Sequence, residues 1–210
     1  NKQQTLYFIA NAGGTFDNFS GTLGELKTKQ FSLSETDIQN WKILMTGSCV
    51  TKIYTETDVT ATLTRRLAKI VFSIDRNGLP SGAALEPLWL QLRSLPTDAC
   101  LEAPVSGTHP AQSSELYSDL EPVVSNIDKG YTWYIPENRR GKKSGTTVNN
   151  PKDKNSHKPD DYCTYLYLEA NYYPDATDKG KNAKRVSYTL YPGANNTDDF
   201  TIEGNRSYTV

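Results

Sequence analysis

The densest run of chemically capable side chains is YTWYIPENRRGKKSG, residues 131–145. Glu137 has the type of a proton donor or acceptor, and Arg139, Arg140, Lys142 and Lys143 have the type that holds an anion. A carboxylate acting as general acid or base needs a second carboxylate or a histidine held nearby, and none is signalled here. The four cations are spaced too closely to face one way. No aromatic rings interleave with them, as a single-stranded nucleic-acid surface requires. The stretch is therefore expected to be a strand over 130–135, with Tyr131, Trp133 and Ile135 on one face and Thr132 and Tyr134 on the other. Pro136 lacks an N–H and is expected to end the ladder. Glu137 and Asn138 then start a turn, and residues 139–145 form a solvated loop. Glu137 is expected to pair with an arginine or to accept backbone N–H groups at the strand end.

Other reactive residue types are scattered. His109 and His157 sit beside Ser and Pro in expected loops, whereas a triad needs an oriented histidine next to a positioned nucleophile. No GxSxG, P-loop, GxGxxG or HExxH pattern occurs. The Asp pairs 160–161 and 198–199 lack the alternating oxygen ligands of a calcium loop. Cys49, Cys100 and Cys163 are odd in number and widely spaced, with no metal-ligand pattern, and read as free, buried or partly buried thiols. Asn195-Asn196-Thr197 and Asn205-Arg206-Ser207 match the glycosylation acceptor pattern, which arises often by chance. No catalytic, cofactor-binding or metal residues are assigned, and no cofactor is expected.

The elements that would position these residues are mostly short strands. Hydrophobic residues make up 36% of the 210, and mean hydropathy is −0.62. The core must therefore be thin, as in a sandwich of half-buried strands. Tyr (13) outnumbers Phe (6) and Trp (3) together, and Tyr, Thr and Val suit a pleated surface with one wet face. A net charge of −1 gives no bulk attraction to nucleic acid or an anionic membrane. Residues 5–14 read as strand ended by a glycine pair, 20–31 as holding a short helix, and 34–47 as a capped helical turn whose apolar end stops at Gly47. Residues 50–78 are the strongest strand region, with Asn77-Gly78 a turn or hairpin signal. Residues 86–96 alternate Leu88, Leu90 and Leu92 and read as strand. Residues 101–121 read as a long loop with one helical turn, and 139–161 as a mobile excursion. In 162–174, Leu166, Leu168 and Ala170 share one face. Strands follow over 184–193 and 198–210. The N-terminus has neither an initiator Met nor an apolar leader, so the chain is expected to be a mature or truncated fragment.

Three segments, in order, resemble fimbrillin-type pilus subunits of the Bacteroidales. LTRRLAKIVFSI (63–74) is similar to the family's L-x-R-x-x-A-K-I strand through Leu63, Arg65, Ala68, Lys69 and Ile70. YIPENRRGK (134–142) is similar to its Y-x-P-E-N-x-R-G segment through Tyr134, Pro136, Glu137, Asn138, Arg140 and Gly141. VSYTLYPGANNTDDFTIEGNRSYTV (186–210) resembles the following Gly turn and strand through Gly193, Phe200, Asn205 and Tyr208. LYFIANAGG (6–14) resembles the Y-x-x-A-N strand of the N-terminal domain, and LMTGS the small turn before the second. Departures are Glu203-Gly204-Asn205, where the family tends to Arg-Asn, and Tyr191-Pro192-Gly193 in place of Leu-Gly.

The resemblance implies an all-β fold of two transthyretin-like, Greek-key sandwich domains. Residues 1–60 would be part of the N-terminal domain and 61–210 the C-terminal one. It implies a non-enzymatic structural subunit of a cell-surface pilus, exported through the periplasm to the outer membrane as a lipoprotein precursor. Its membrane contact would run only through a lipid anchor on that precursor. Partners would be other pilus subunits, joined by donor strands, and host proteins or glycans as receptors, with no nucleic acid. A sandwich missing one strand exposes unpaired N–H and C=O groups over an open core, which an added strand can fill. Two rival readings stand beside it. One is a monomeric glycan- or host-protein-binding sandwich, and the other a hydrolase whose acid and base meet from distant loops.

Overall fold

The strands form where alternation puts apolar residues on one side of the pleat. In the computed structural model, which describes residues 2–12, 19–32, 42–54, 58–102, 110–142, 154, 161–179 and 182–210, Leu67–Phe72 (β5) shows this most clearly. Ala68, Ile70 and Phe72 are buried, and Lys69 and Val71 half-buried. Tyr131–Pro136 (β10) runs antiparallel on one flank of β5, and Ser207–Thr209 (β15) runs parallel on the other. A second sheet has the order Lys184–Leu190 (β13), Tyr165–Tyr173 (β12), Ala84–Arg93 (β6), all antiparallel. The leucines of β6 do lie in a strand: Leu90 and Leu92, two apart, both face the core. Its Pro87 pairs with Ala170 at a register shift, a place where a missing N–H is tolerated.

The inner faces of these two sheets meet in one cluster. Ile70 and Phe72 come from β5, Trp133 and Ile135 from β10, Leu90 and Leu92 from β6, and Leu166 and Leu168 from β12; Tyr208 of β15 joins them. This is the two-layer sandwich that thin, half-buried strands require.

The N-terminal residues form a smaller set of sheets. Gln3–Ala10 (β1) pairs antiparallel with Met45–Lys52 (β3), which pairs with Thr64–Arg65 (β4). Gln30–Ser32 (β2) pairs with Asp98–Cys100 (β8). Leu23–Thr28 (α1) is a short helix begun by a capping box. Thr22 Oγ1 accepts from Glu25 N at 3.3 Å, and Glu25 Oε2 accepts from Thr22 N at 2.6 Å. Phe31, Ile43, Leu44, Leu67, Ala99 and Leu101 form a second cluster, so this core draws residues from both sides of position 60. Arg66 N donates to Leu44 O at 2.9 Å, and Thr46 Oγ1 to Leu101 O at 2.8 Å, across the same boundary. The remaining short pairs are Leu95–Pro96 (β7) with Tyr117–Ser118 (β9), and Asn138–Lys142 (β11) with Asp199–Ile202 (β14).

Several expectations are corrected. Strand β3 continues through Gly47 instead of stopping there. A Cβ at that residue would sit 2.2 Å from Thr62 O, so the glycine serves a close backbone approach. The Asn77-Gly78 turn exists, with Leu79 N donating to Arg76 O at 3.0 Å, but the next strand begins only at Ala84. The loop expected over 101–121 contains β9 as well as the helical turn Ser114–Leu116. The ladder with β5 ends at Pro136 as expected, but after Glu137 the chain enters a new strand, β11, in place of the expected turn and loop. None of the three cysteines forms a disulfide; Cys100 and Cys163 are buried and Cys49 is half-buried. The expected helical turn over 34–41 lies outside the described residues. No helix among the described residues is long and apolar enough to cross a membrane.

Candidate functional site

Residues 137–142 are the clearest departure from the sequence reading. The expected solvated loop is strand β11 for as far as Lys142, and two of its polar side chains, Asn138 and Arg140, are buried while Lys142 is exposed. Asn138 is fully buried, its Nδ2 donating to Tyr162 O and Thr164 Oγ1, both at 2.8 Å. Arg140 is 4% exposed and donates from Nη1 to Pro110 O at 2.9 Å and to the Tyr117 hydroxyl at 3.0 Å. A guanidinium is buried here because a neighbouring segment supplies oxygens to it, a pairing that local composition does not reveal. Gly141, at φ +70°, sits in the register shift of β11, and its N–H donates to Thr201 Oγ1 at 3.2 Å.

Glu137 is buried and does what the sequence reading expected of it. Its Oε1 accepts from Gly204 N at 2.9 Å, its Oε2 accepts from Arg139 Nε at 3.3 Å, and Arg66 Nη2 lies 3.7 Å away. The turn after β14 wraps the start of β5. Asn205, at φ +60°, donates its N–H to Leu67 O at 2.8 Å, and Lys69 N donates to Arg206 O at 2.9 Å. Arg65 Nη1 reaches Asn205 Oδ1 at 3.4 Å, and the Tyr208 hydroxyl accepts from Glu203 N at 2.8 Å. Ala68 and Ile70 are core residues, Pro136 is buried opposite Leu67, Tyr134 packs on the second cluster, and Leu63 is exposed beside Gly47. These residues hold two sheets to one turn; no acid–base pair is assembled among them.

The other expected reactive groups are structural or unseen. His109, His157 and Asp160 lie outside the described residues. Asn195 Oδ1 accepts the N–H groups of Thr197, Asp198 and Asp199 at 3.0, 2.9 and 2.9 Å. Asp198 Oδ1 accepts from Asn195 Nδ2 at 2.6 Å, which helps hold its carboxyl below the usual range, and Asp199 Oδ1 accepts from Thr201 N at 2.9 Å. Among the described residues, no three His, Cys, Asp or Glu side chains are placed to hold a metal ion.

The site that remains is a groove. Among the described residues, strands β13 and β15 are outer strands of their sheets, each paired on one side only. A cleft of about 670 Å³ lies beside β15, walled by Leu190 at the end of β13, the turn 191–196 and residues 207–210. Arg206 O and Val210 N bond to β5, and Val210 O accepts from Ser73 N just beyond it. Because a parallel strand bonds one neighbour through alternate residues, the backbone groups of Ser207 and Thr209 face the groove. Leu190 and Val210 also pack on the main core, so the cleft opens onto apolar surface.

One end of the groove carries a cation. Lys154 is 3% exposed, and its Nζ donates to Asn195 O at 2.7 Å and Asp199 O at 2.8 Å, 4.9 Å from the centre of the Phe200 ring. Burial pulls its pKa down to about 8, against the opposing pull of Asp199, Cys163 and Asp198. Tyr191 packs edge-on to Phe200 at 5.5 Å, and burial pushes its hydroxyl up to about 12. Gly193 leaves no room for a side chain: a Cβ would meet Asp199 O at 2.1 Å and Lys154 Nζ at 2.7 Å. Sequence reasoning missed Lys154. It stands in a polar run with no apolar periodicity, and nothing local marks it as buried.

Comparison with known proteins places the fold. The model of a domain of unknown function, DUF4906, matches residues 133–210, less than half of the chain. No curated protein matches. Among solved structures, a C-terminally truncated form of the tip fimbrial protein Mfa3 from Porphyromonas gingivalis superposes with a TM-score of 0.60 at 13% identity. It covers 98% of this chain and 73% of that one. A candidate cell adhesion protein from Parabacteroides distasonis ATCC 8503 gives 0.56 at 14% identity, covering 99% and 76%. A candidate cell adhesion protein from Bacteroides eggerthii DSM 20697 gives 0.53 at 18% identity, covering 98% and 66%. The chain thus shares the fold of fimbrial and adhesion proteins while spanning only part of their length.

Proposed function

We propose that this chain is a structural subunit of a bacterial cell-surface pilus that joins its neighbours by strand donation and serves adhesion. The observation that carries the reading is the groove beside β15: a strand edge that is unpaired among the described residues, faced by Leu190 at the end of β13 and the turn 191–196, with Leu190 and Val210 packed on the apolar core beneath. An inserted strand would pair its main chain with Ser207 and Thr209 and lie against Leu190 at the end of β13, and alternate side chains would set its register. Each apolar side chain so buried contributes roughly 1.5–3 kcal/mol. The shared fold with fimbrial and adhesion proteins supports the reading, as do the ordered sequence motifs.

The same reading takes residues 1–60 as part of an N-terminal transthyretin-like sandwich and 61–210 as a C-terminal one. It takes the chain as part of a lipoprotein precursor carried to the cell surface. The role is non-catalytic and needs no cofactor. To test it, the precursor is expressed with its native flanking sequence, cleaved with a trypsin-like protease, and followed by light scattering and electron microscopy. Filaments or ladders that appear only after cleavage are expected. A cleaved protein that stays monomeric, with the groove edges exchanging amide hydrogens freely, overturns the proposal.

A second reading, a monomeric adhesin or glycan-binding lipoprotein, is favoured by the outer face of β12 and β6. There Arg93 stacks 4.3 Å from the Tyr167 ring, and the Tyr167 hydroxyl bonds Glu169 Oε1 at 2.7 Å. Trp89 lies opposite Glu169. A glycan array probed with the chain and with Tyr167→Ala separates the two readings.

A further inference from the structure

The groove holds more than backbone edges. We propose that the strand seated between β13 and β15 carries a carboxylate that pairs with Lys154, which makes an acidic residue the register mark of the incoming segment. This inference rests on the strand-accepting reading and adds the chemistry of the partner.

An ammonium has three donors. Lys154 uses two on the carbonyls of Asn195 and Asp199, which bring only partial charges. No ion pair of Lys154 is present among the described residues. The two nearest acids are already engaged: Asp198 by Asn195 and Thr197, Asp199 by Thr201 N. Asp199, Cys163 and Asp198 offset the burial of Lys154 only in part, and the remaining cost falls once a hydrogen-bonded carboxylate joins the ammonium. Lys154 lines the groove, and Gly193 beside it carries no side chain to cover the ammonium. An anion arriving with an extended strand therefore meets a desolvated, pre-positioned cation, the setting in which charge-assisted bonds are strongest.

Among the described residues, the titratable and charged groups around Lys154 are these. Asp198 and Asp199 lie on the adjoining turn, Cys163 before β12, and Lys142 near Asp198; Tyr191 and Tyr208 line the walls. Burial raises both phenols, Tyr191 to about 12. The proposed preference is thus present while Lys154 is charged and fades as pH passes about 8.

The probe is a set of tagged, end-blocked peptides of alternating Val and Thr, roughly ten residues long to match a strand. A single Glu is walked along the set, and each member has a Gln counterpart. Binding is measured by fluorescence anisotropy to the whole chain. At one position, Glu is expected to bind about tenfold tighter than Gln near neutral pH. The ratio should fall several-fold at alkaline pH and approach one in Lys154→Met. Equal binding of Glu and Gln at every position overturns this inference and leaves the strand-accepting groove standing. A preference unchanged in Lys154→Met, or unchanged at alkaline pH in the unaltered chain, also overturns it. Binding by none of the peptides sinks the strand-accepting reading, and this inference with it. The alkaline arm needs no variant, so a folding defect in Lys154→Met cannot protect the idea.

Discussion

Along the outer side of β6, Leu90 and Leu92 are met by residues 120–123. Leu90 N donates to Val123 O at 3.0 Å, Val123 N to Leu90 O at 2.7 Å, and Leu120 N to Leu92 O at 3.1 Å. Leu120 and Val123 also pack on the core, so this strap covers the sheet edge and the apolar residues beneath it. Along β13, at the opposite edge of the same sheet, no named strand takes that place. Its beginning is guarded instead by exposed Lys184 and Arg185, the charges by which edges resist unwanted pairing. Its end, at Leu190, is apolar and opens into the groove. One sheet thus has an edge closed by its own chain and an edge guarded by charge at one end and apolar at the other. On the proposed reading, the receptive stretch is confined to the few residues beside Lys154 and Gly193.

The contrast can be tested. Leu90→Ala, beneath the strap, removes a fully buried side chain and should cost about 2–5 kcal/mol in urea unfolding. A cost below about 1 kcal/mol shows that the strap does not seal a packed core. Val123→Pro deletes the N–H donated to Leu90 O and should cost about 1–3 kcal/mol. By uncovering a second edge it should also produce dimers or larger species on size exclusion; a clean monomer counts against the strap's protective role. The open edge predicts an unusual pH response. Lys154 is depressed in the fold, so the unfolded chain binds more protons between about 8 and the ordinary lysine value of 10.5. Stability therefore rises with pH across that window, by on the order of 1–3 kcal/mol. Tyr191, raised from 10.0 to about 12, acts oppositely and lowers stability above 10. Urea midpoints should peak near pH 10, and Lys154→Met should flatten the rising limb. Thr209→Pro gives the smallest change in stability, within about 0.5–1 kcal/mol, because its N–H faces the groove and not β5. Filament formation should nevertheless stop. A Thr209→Pro chain that still polymerises removes β15 from the assembly surface.

Much of the sandwich could be read from alternation. Strands β5, β10 and β12 put Ile70, Trp133 and Leu168 where period two places them, and those residues are buried. A short helix was expected within residues 20–31, and it forms over Leu23–Thr28 behind the Thr22–Glu25 capping box. What escaped is long-range satisfaction of polar groups. Arg140 reads as solvated from its neighbours, yet Pro110 O and Tyr117, far away in sequence, make its burial tolerable. Lys154 escaped for the same reason, its acceptors lying 41 and 45 residues on. The groove itself was foreseen only as an unpaired edge. Which two strands would frame it depends on β15 crossing to the flank of β5, a pairing that periodicity cannot specify.

That parallel pairing of β15 with β5 has a mechanical consequence. Ser207, Tyr208 and Thr209 stand beside Lys69, Ile70 and Val71, and Val210 adds bonds to Val71 and Ser73. Tension applied along β15 loads these bonds side by side, in shear, so they must yield together. Pulled as a hairpin is peeled, they would break one at a time. The Tyr208 ring, anchored in the core and tied to Glu203 N, adds friction to any sliding of the strand. A segment seated on the free side of β15 would be drawn against a member already braced along the direction of pull.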